Sequence, residues 1–179
     1  AGSGKTSYAR CFCQQVTTII GASDPQERDE FFLRVDCADT EKWGKSLAEL
    51  STCVKAMAGG KPLKFSKVQF RLVLLDNFDS VTAPVQLSLK SLIDGTERKV
   101  RYVVVGTSPK TLVGSLQSKV LPSYTVALRQ PSEITTAQVL LSIAKRNKVG
   151  NERAGIKEML ALNGRNLTNL VRFYCILFL

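Results

Sequence analysis

The sequence predicts an α/β protein: a parallel sheet with helices wound on both faces, followed by a small helical lid. Three observations carry that expectation. Short apolar runs alternate with amphipathic stretches at helical spacing, half of a phosphate-binding loop stands at Ala1–Thr6 (AGSGKT), and an acidic residue closes one of the apolar runs in LLDNFD, Leu74 to Asp79. Alternation of this kind builds parallel sheets covered by helices, whose ligands sit at the carboxyl ends of the strands.

The runs Phe31–Val35 (FFLRV), Arg71–Leu75 (RLVLL), Val100–Val105 (VRYVVV) and Tyr124–Leu128 (YTVAL) are short and rich in β-branched and aromatic residues. Strands buried on both faces read this way. Trp43, Leu47, Leu50, Val54 and Met57 recur at spacings of four, three, four and three, ahead of Gly59 and Gly60. That spacing predicts an amphipathic helix ended by glycine. A second helix is expected over Thr82–Ile93, with Thr82 as N-cap, Pro84 in the first turn, Val85, Leu89 and Leu92 inward, and Gly95 beyond the end. After Leu128 the pattern turns helical. Ile134, Ala137, Leu140, Leu141 and Ala144 mark one helix, Ile156, Met159 and Leu160 a second closed by Gly164, and Leu167, Leu170, Val171 and Tyr174 a third. The expected division is a nucleotide-binding core over 1–130 and a helical lid over 131–179.

Ala1–Thr6 is the second half of a P-loop, whose full pattern places its first glycine two residues before Ala1. Glycines let consecutive backbone N–H groups turn inward around an anion, lysine adds a point charge on the outer phosphates, and the threonine hydroxyl holds Mg²⁺. Gly2, Ser3, Gly4, Lys5 and Thr6 would take these roles. The polar and apolar alternation from Ser7 to Val16 predicts a helix whose N-terminal dipole also favours phosphate. The bland alternative is a Gly-Ser linker scar. A strand is expected just before Ala1, and the apolar ending Cys175–Leu179 (CILFL) suggests a chain that continues, so the sequence reads as a piece of a longer protein.

The chain has 179 residues, 25 Lys plus Arg against 15 Asp plus Glu, and a net charge of +10. That balance suits a polyanion and equally serves solubility. Five cysteines, Cys11, Cys13, Cys37, Cys53 and Cys175, form no C-x-x-C pair, and the chain holds no histidine. They are expected to be reduced, mostly buried thiols of an intracellular protein rather than metal ligands. Neither a signal peptide nor a membrane span is expected, because the apolar runs are too short.

Asp76, at the end of an apolar strand, occupies the place where P-loop proteins hold Mg²⁺ through its water; its alternative is a strand-end cap. Asn77 follows where many such ATPases carry the glutamate that polarises attacking water. An amide cannot accept that proton at neutral pH. Asp79, two residues on, reads as a surface or capping carboxylate.

Three strings, VDCADTEKWGKSLAEL (35–50), LLDNFDSVTAPVQLSLKSL (74–92) and VVVGTSPKTLVGSLQSKVLPSYTVALRQPSE (103–133), resemble a small subunit of replication factor C, the AAA+ clamp loader. The family has Asn-Ala-Ser-Asp after its second strand, then Leu-Asp-Glu-Ala-Asp, then Ser-Arg-Cys. Asp36–Asp39, Asp76–Asp79 and Ser118–Val120 stand in those places, in order. Arg165-Asn166-Leu167 is similar to an Arg-Asn-Leu-Arg segment of the subunit 3 type.

The resemblance implies an AAA+ core that binds ATP or ADP with Mg²⁺, the ion held by Thr6 with Asp76 behind it. Thr107 falls at the sensor-1 position, where its hydroxyl would reach a γ-phosphate or attacking water, and equally fits a strand-end turn. Lys119 stands at the arginine-finger position. There it keeps the charge but loses the bidentate fork, and a solvated helix-end lysine is the plainer alternative. Thr168 occupies the sensor-2 arginine position without its charge, and Arg165, one turn earlier, is the candidate replacement. Partners implied are other subunits of a hetero-oligomeric ring, a sliding clamp, and primer–template DNA bound without sequence specificity, in nuclear replication and repair. Lys42 and Lys45 are the DNA-contact candidates, against the plainer alternative of a solvated helix face. Asn77, Lys119 and Thr168 depart together from the hydrolytic pattern, so the subunit is expected to bind nucleotide with weak or no hydrolysis. Two other classes stay open: a competent ATPase of a checkpoint or bacterial-type clamp loader, and an interaction protein with a relic P-loop.

Overall fold

The structure, a computed structural model, describes residues 3–20, 29–60, 70–119, 125–146 and 156–157. It divides into two compact units, Thr6–Thr125 and a second formed by Ala1–Lys5 with Val126–Leu179.

The first unit is a three-layer α/β structure. Helix α1 spans Lys5–Ile20, strand β1 Phe32–Asp36, helix α2 Thr40–Gly59, strand β2 Arg71–Asp76, helix α3 Ala83–Thr96, strand β3 Val100–Val104, and the short helix α4 Gly114–Gln117. The strands run parallel in the order β1-β2-β3, with Asp36 opposite Asp76 and Arg71 opposite Val100. All six residues of β2 are buried. A central strand covered on both faces has no water-facing side, which is why RLVLL reads as a continuous apolar run.

Alternation along β2 sorts the core into two clusters. Leu72 and Leu74 face Ala9 and Cys13 of α1, together with Phe31 and Val105. Val73 and Leu75 face Leu50 and Val54 of α2, Leu89 and Leu92 of α3, and Leu116 of α4. The expected inner faces of α2 and α3 are therefore the buried ones, as far as side chains are described. Those of residues 40–47, Trp43 and Leu47 included, lie outside the described residues.

Three local expectations change. Gly60 follows α2 in an extended conformation (φ −62°, ψ 163°), not a left-handed one. Its lack of a side chain serves a close approach: a Cβ there would lie 2.8 Å from Nη2 of Arg71. Helix α3 continues through Gly95 to Thr96, because the buried Thr96 hydroxyl bonds the Leu92 carbonyl (2.8 Å) and the Tyr102 hydroxyl (2.6 Å), packing the last turn against β3. Thr82 takes the N-cap position with no side-chain cap bond.

The fourth expected strand is not formed over 125–128, which is irregular, and Val126 is 64% exposed; Tyr124 lies outside the described residues. Apolar composition favours a pleated surface only where a neighbouring strand completes the ladder.

In the second unit, helix α5 spans Glu133–Arg146. Ser132 caps it, its Oγ accepting from the Thr135 N–H (3.1 Å). Leu140 and Thr136 are fully buried while Ile134 is 74% exposed, so the inner face runs through Thr136 rather than Ile134. Ile156 and Lys157 are helical. Met159, Leu160 and the third expected helix lie outside the described residues. Among the described residues no helix is long and apolar enough to cross a membrane.

Candidate functional site

The site begins where the P-loop half-motif enters α1. Gly4 has φ +80°, a left-handed conformation that side chains rarely adopt, and nothing lies within 4 Å of the place its Cβ would take. Open space beside a left-handed glycine is what a loop that turns its N–H groups toward an anion requires. Lys5 is the first residue of α1, and its Nζ donates to Ser3 Oγ at 3.5 Å. Gly2 lies outside the described residues.

Thr6 follows directly, and its hydroxyl donates to Oδ1 of Asp76 at 3.0 Å, across 70 residues of sequence. Asp76 ends the central strand with no solvent exposure. Its Oδ1 also accepts the Asn77 N–H (3.1 Å), and its Oδ2 accepts from Nη2 of Arg34 (3.1 Å). Strand geometry explains Arg34: β1 pairs Arg34 with Leu74 and Asp36 with Asp76, and residues two apart point to one face, so Arg34 shares the α1 face with Asp76.

Asn77 is left-handed (φ 53°, ψ 41°), a conformation that asparagine tolerates better than most residues. Its Nδ2 donates to Oδ1 of Asp36 at 2.9 Å. That bond, then the Ala38 N–H and the charges of Arg34 and Arg10, hold the Asp36 carboxyl below the usual carboxylate range against the opposing effect of burial. Carboxyl ends of β1 and β2 thus gather Thr6, Arg34, Asp36, Asp76 and Asn77 into one polar cluster. Beneath it, burial pushes the Cys37 thiol up to about 12, with Asp36 and Asp76 adding to the shift.

Asp79 anchors the segment after β3. Thr107 N–H donates to both its oxygens (3.0 and 2.8 Å), and the Thr111 hydroxyl donates to Oδ1 (2.9 Å). Burial pushes its carboxyl up, but the bonds from Thr111, Thr107 and Ser108 outweigh that and hold it below its ordinary value. Gly106 makes room, since a Cβ there would meet Oδ1 at 3.0 Å. Thr107 therefore sits at the strand end, with its backbone fixed on Asp79.

A second pin is the buried Gln86 of α3. Its Nε2 donates to the carbonyls of Val81 and Thr111 (both 3.0 Å), and its Oε1 accepts the Val113 N–H (2.8 Å). Lys119 belongs to a separate cluster: it pairs with Asp94, and with Glu97 at 3.1 Å, while Lys90 also pairs with Asp94 at 2.7 Å. The Asp94 carboxylate, then Glu97, raises the Lys119 pKa.

Lys42 and Lys45 lie in the first turns of α2, their side chains outside the described residues, and Arg165 and Thr168 lie outside them altogether. Reading the sequence missed Arg34 and Gln86. Position i−2 from Asp36 on a strand was the available signal for the first; the second has none, because Gln86 acts on a loop 25 residues later.

No family profile matches the chain. It is 24% identical, over 118 residues, to the replication factor C small subunit of Staphylothermus marinus; the match covers 66% of this chain and 32% of that protein. The chain thus spans about a third of the length of that relative. The likeness supports a resemblance to the clamp-loader family, in agreement with a parallel α/β core that carries a P-loop half-motif and a strand-end aspartate.

Proposed function

We propose that this chain is the nucleotide-binding part of a clamp-loader-like subunit that binds ATP or ADP and hydrolyses it weakly or not at all. The observation that carries the reading is the bond from Thr6 to Asp76, which joins the residue after the P-loop lysine to the acid at the end of the central strand. The likeness to a replication factor C small subunit adds the expected setting: a hetero-oligomeric ring, a sliding clamp and primer–template DNA.

Thr6 offers a cation one oxygen, while Asp76 is already paired with Arg34. By giving its proton to Asp76, the Thr6 hydroxyl leaves its oxygen lone pairs for a cation, and Asp76 would accept from that ion's water. When bound, the ion would neutralise charge on the outer phosphates. Lys5 and the N–H groups around Gly4 would bind those phosphates, with the start of α1 contributing its positive end.

Weak turnover follows from Asn77. Its amide donates to Asp36 and cannot take a proton from water. Compared with the family's segments, the two positions have exchanged chemistry: Asp36 stands for an asparagine and Asn77 for a glutamate. Asp79 does not stand in as base, because its oxygens are committed to Thr107 and Thr111.

The test measures nucleotide binding and turnover in the wild type, Lys5→Ala, and the double variant Asp36→Asn/Asn77→Glu, which restores the family's order and removes the carboxylate that residue 77 faces at position 36. Binding that depends on Lys5, negligible turnover, and hydrolysis gained in the double variant support the reading. Robust wild-type turnover returns the competent ATPase to first place, and no nucleotide binding at all leaves the P-loop a relic.

A further inference from the structure

A buried carboxylate needs a counter-charge, and the structure supplies one from the chain itself. The Asp76 side chain is 1% exposed and forms an ion pair with Arg34 at 3.1 Å, whereas Arg34 is 34% exposed. Three of the roughly four lone-pair positions of the Asp76 carboxylate are occupied, by the Thr6 hydroxyl, the Asn77 N–H and the Arg34 guanidinium. The charges of Arg34 and Arg10 also act on the neighbouring Asp36. An approaching divalent cation meets a carboxylate already neutralised and a guanidinium that repels it. A guanidinium carries five N–H donors in a planar fork suited to phosphate oxygens, so those not spent on Asp76 remain for an anion.

We infer that Arg34 is the resident counter-ion of Asp76, and that this site takes a free nucleoside di- or triphosphate with little dependence on a divalent cation. The inference deepens the nucleotide-binding reading proposed above and rests on it. Arg34 is a binding and positioning residue here, acting through its fixed charge.

The experiment titrates a fluorescent ADP analogue into the purified protein in excess EDTA and in saturating Mg²⁺, for the wild type, Arg34→Gln, Arg34→Lys and Lys5→Ala, with circular dichroism as a check of folding. The wild-type affinities in the two conditions are expected to differ by less than about tenfold. In Arg34→Gln that ratio is expected to rise by about tenfold or more, as Mg²⁺ takes over the missing charge, while Arg34→Lys stays near the wild type. A wild-type ratio above that limit overturns the inference, as does an Arg34→Gln ratio equal to that of the wild type. If Arg34→Gln fails to fold, the wild-type ratio and Arg34→Lys decide. Absence of binding in both conditions, with Lys5→Ala indistinguishable from the wild type, overturns the nucleotide-binding reading as well, so the two failures are distinct.

Discussion

Replacing Gln86 by leucine tests whether one buried amide holds the segment that follows β3. Gln86 is 3% exposed and makes three hydrogen bonds, to the Val81 and Thr111 carbonyls and from the Val113 N–H. A typical internal bond contributes about 1 kcal/mol net, so the three together contribute about 3 kcal/mol. Val81 is buried, and its carbonyl is left without this partner; Thr111 is exposed and Val113 half-buried, so water repairs part of the loss at those two. Leucine at this position regains about 1 kcal/mol of apolar burial, which leaves a net destabilisation of about 2 kcal/mol. In urea, with a slope of about 2 kcal/mol per molar for a domain of this size, the midpoint should fall by about 1 M. Hydrogen exchange should also rise at the Val113 amide, which loses its acceptor, more than at amides within β2. A midpoint shift below about 0.3 M at unchanged slope would refute the reasoning, because a pin made of three bonds cannot be removed so cheaply.

Two further outcomes follow from the same geometry. Asp79 has a folded pKa below its ordinary value of about 3.9, so the stability it contributes is fully present above that value and is lost as pH falls through the folded one. Asp79→Asn should therefore lower stability at neutral pH and flatten the acid limb below about pH 4, measured by urea unfolding at stepped pH; an unchanged limb would assign acid sensitivity to other carboxylates. Cys13 and Cys37 are buried, with thiols pushed up by burial to about 11 and about 12, whereas Cys11 and Cys53 are exposed. A thiol–disulfide reagent at neutral pH should label Cys11 and Cys53 first and reach Cys13 and Cys37 only on unfolding, as read by peptide mass spectrometry; early labelling of Cys37 would show that the strand ends open in the native state.

By itself the sequence determined the layered α/β order, the three described strands and the helices that cover them, and it singled out the two segments, around Thr6 and Asp76, that the structure joins by a hydrogen bond. Those features are periodic or local: a strand buried on both faces must be apolar throughout, a helix facing a sheet must repeat its apolar residues every three or four positions, and a left-handed turn before a helix calls for glycine. Residues 125–128 show where composition stops deciding, since a strand exists only if another edge completes its ladder. Tertiary structure alone decided the partners. Asp76 is met by Thr6 and Arg34 at separations of 70 and 42 residues, and Asn77 is turned toward Asp36 across 41. Asp79 and Gln86 reach 28 and 27 residues ahead to fix the segment after β3. Contacts of that range carry no period in the chain; they arise because parallel strands align their carboxyl ends and alternation sets which side chains share a face. Arg34 became a partner of Asp76 only when β1 paired with β2 in the register that sets Asp36 opposite Asp76.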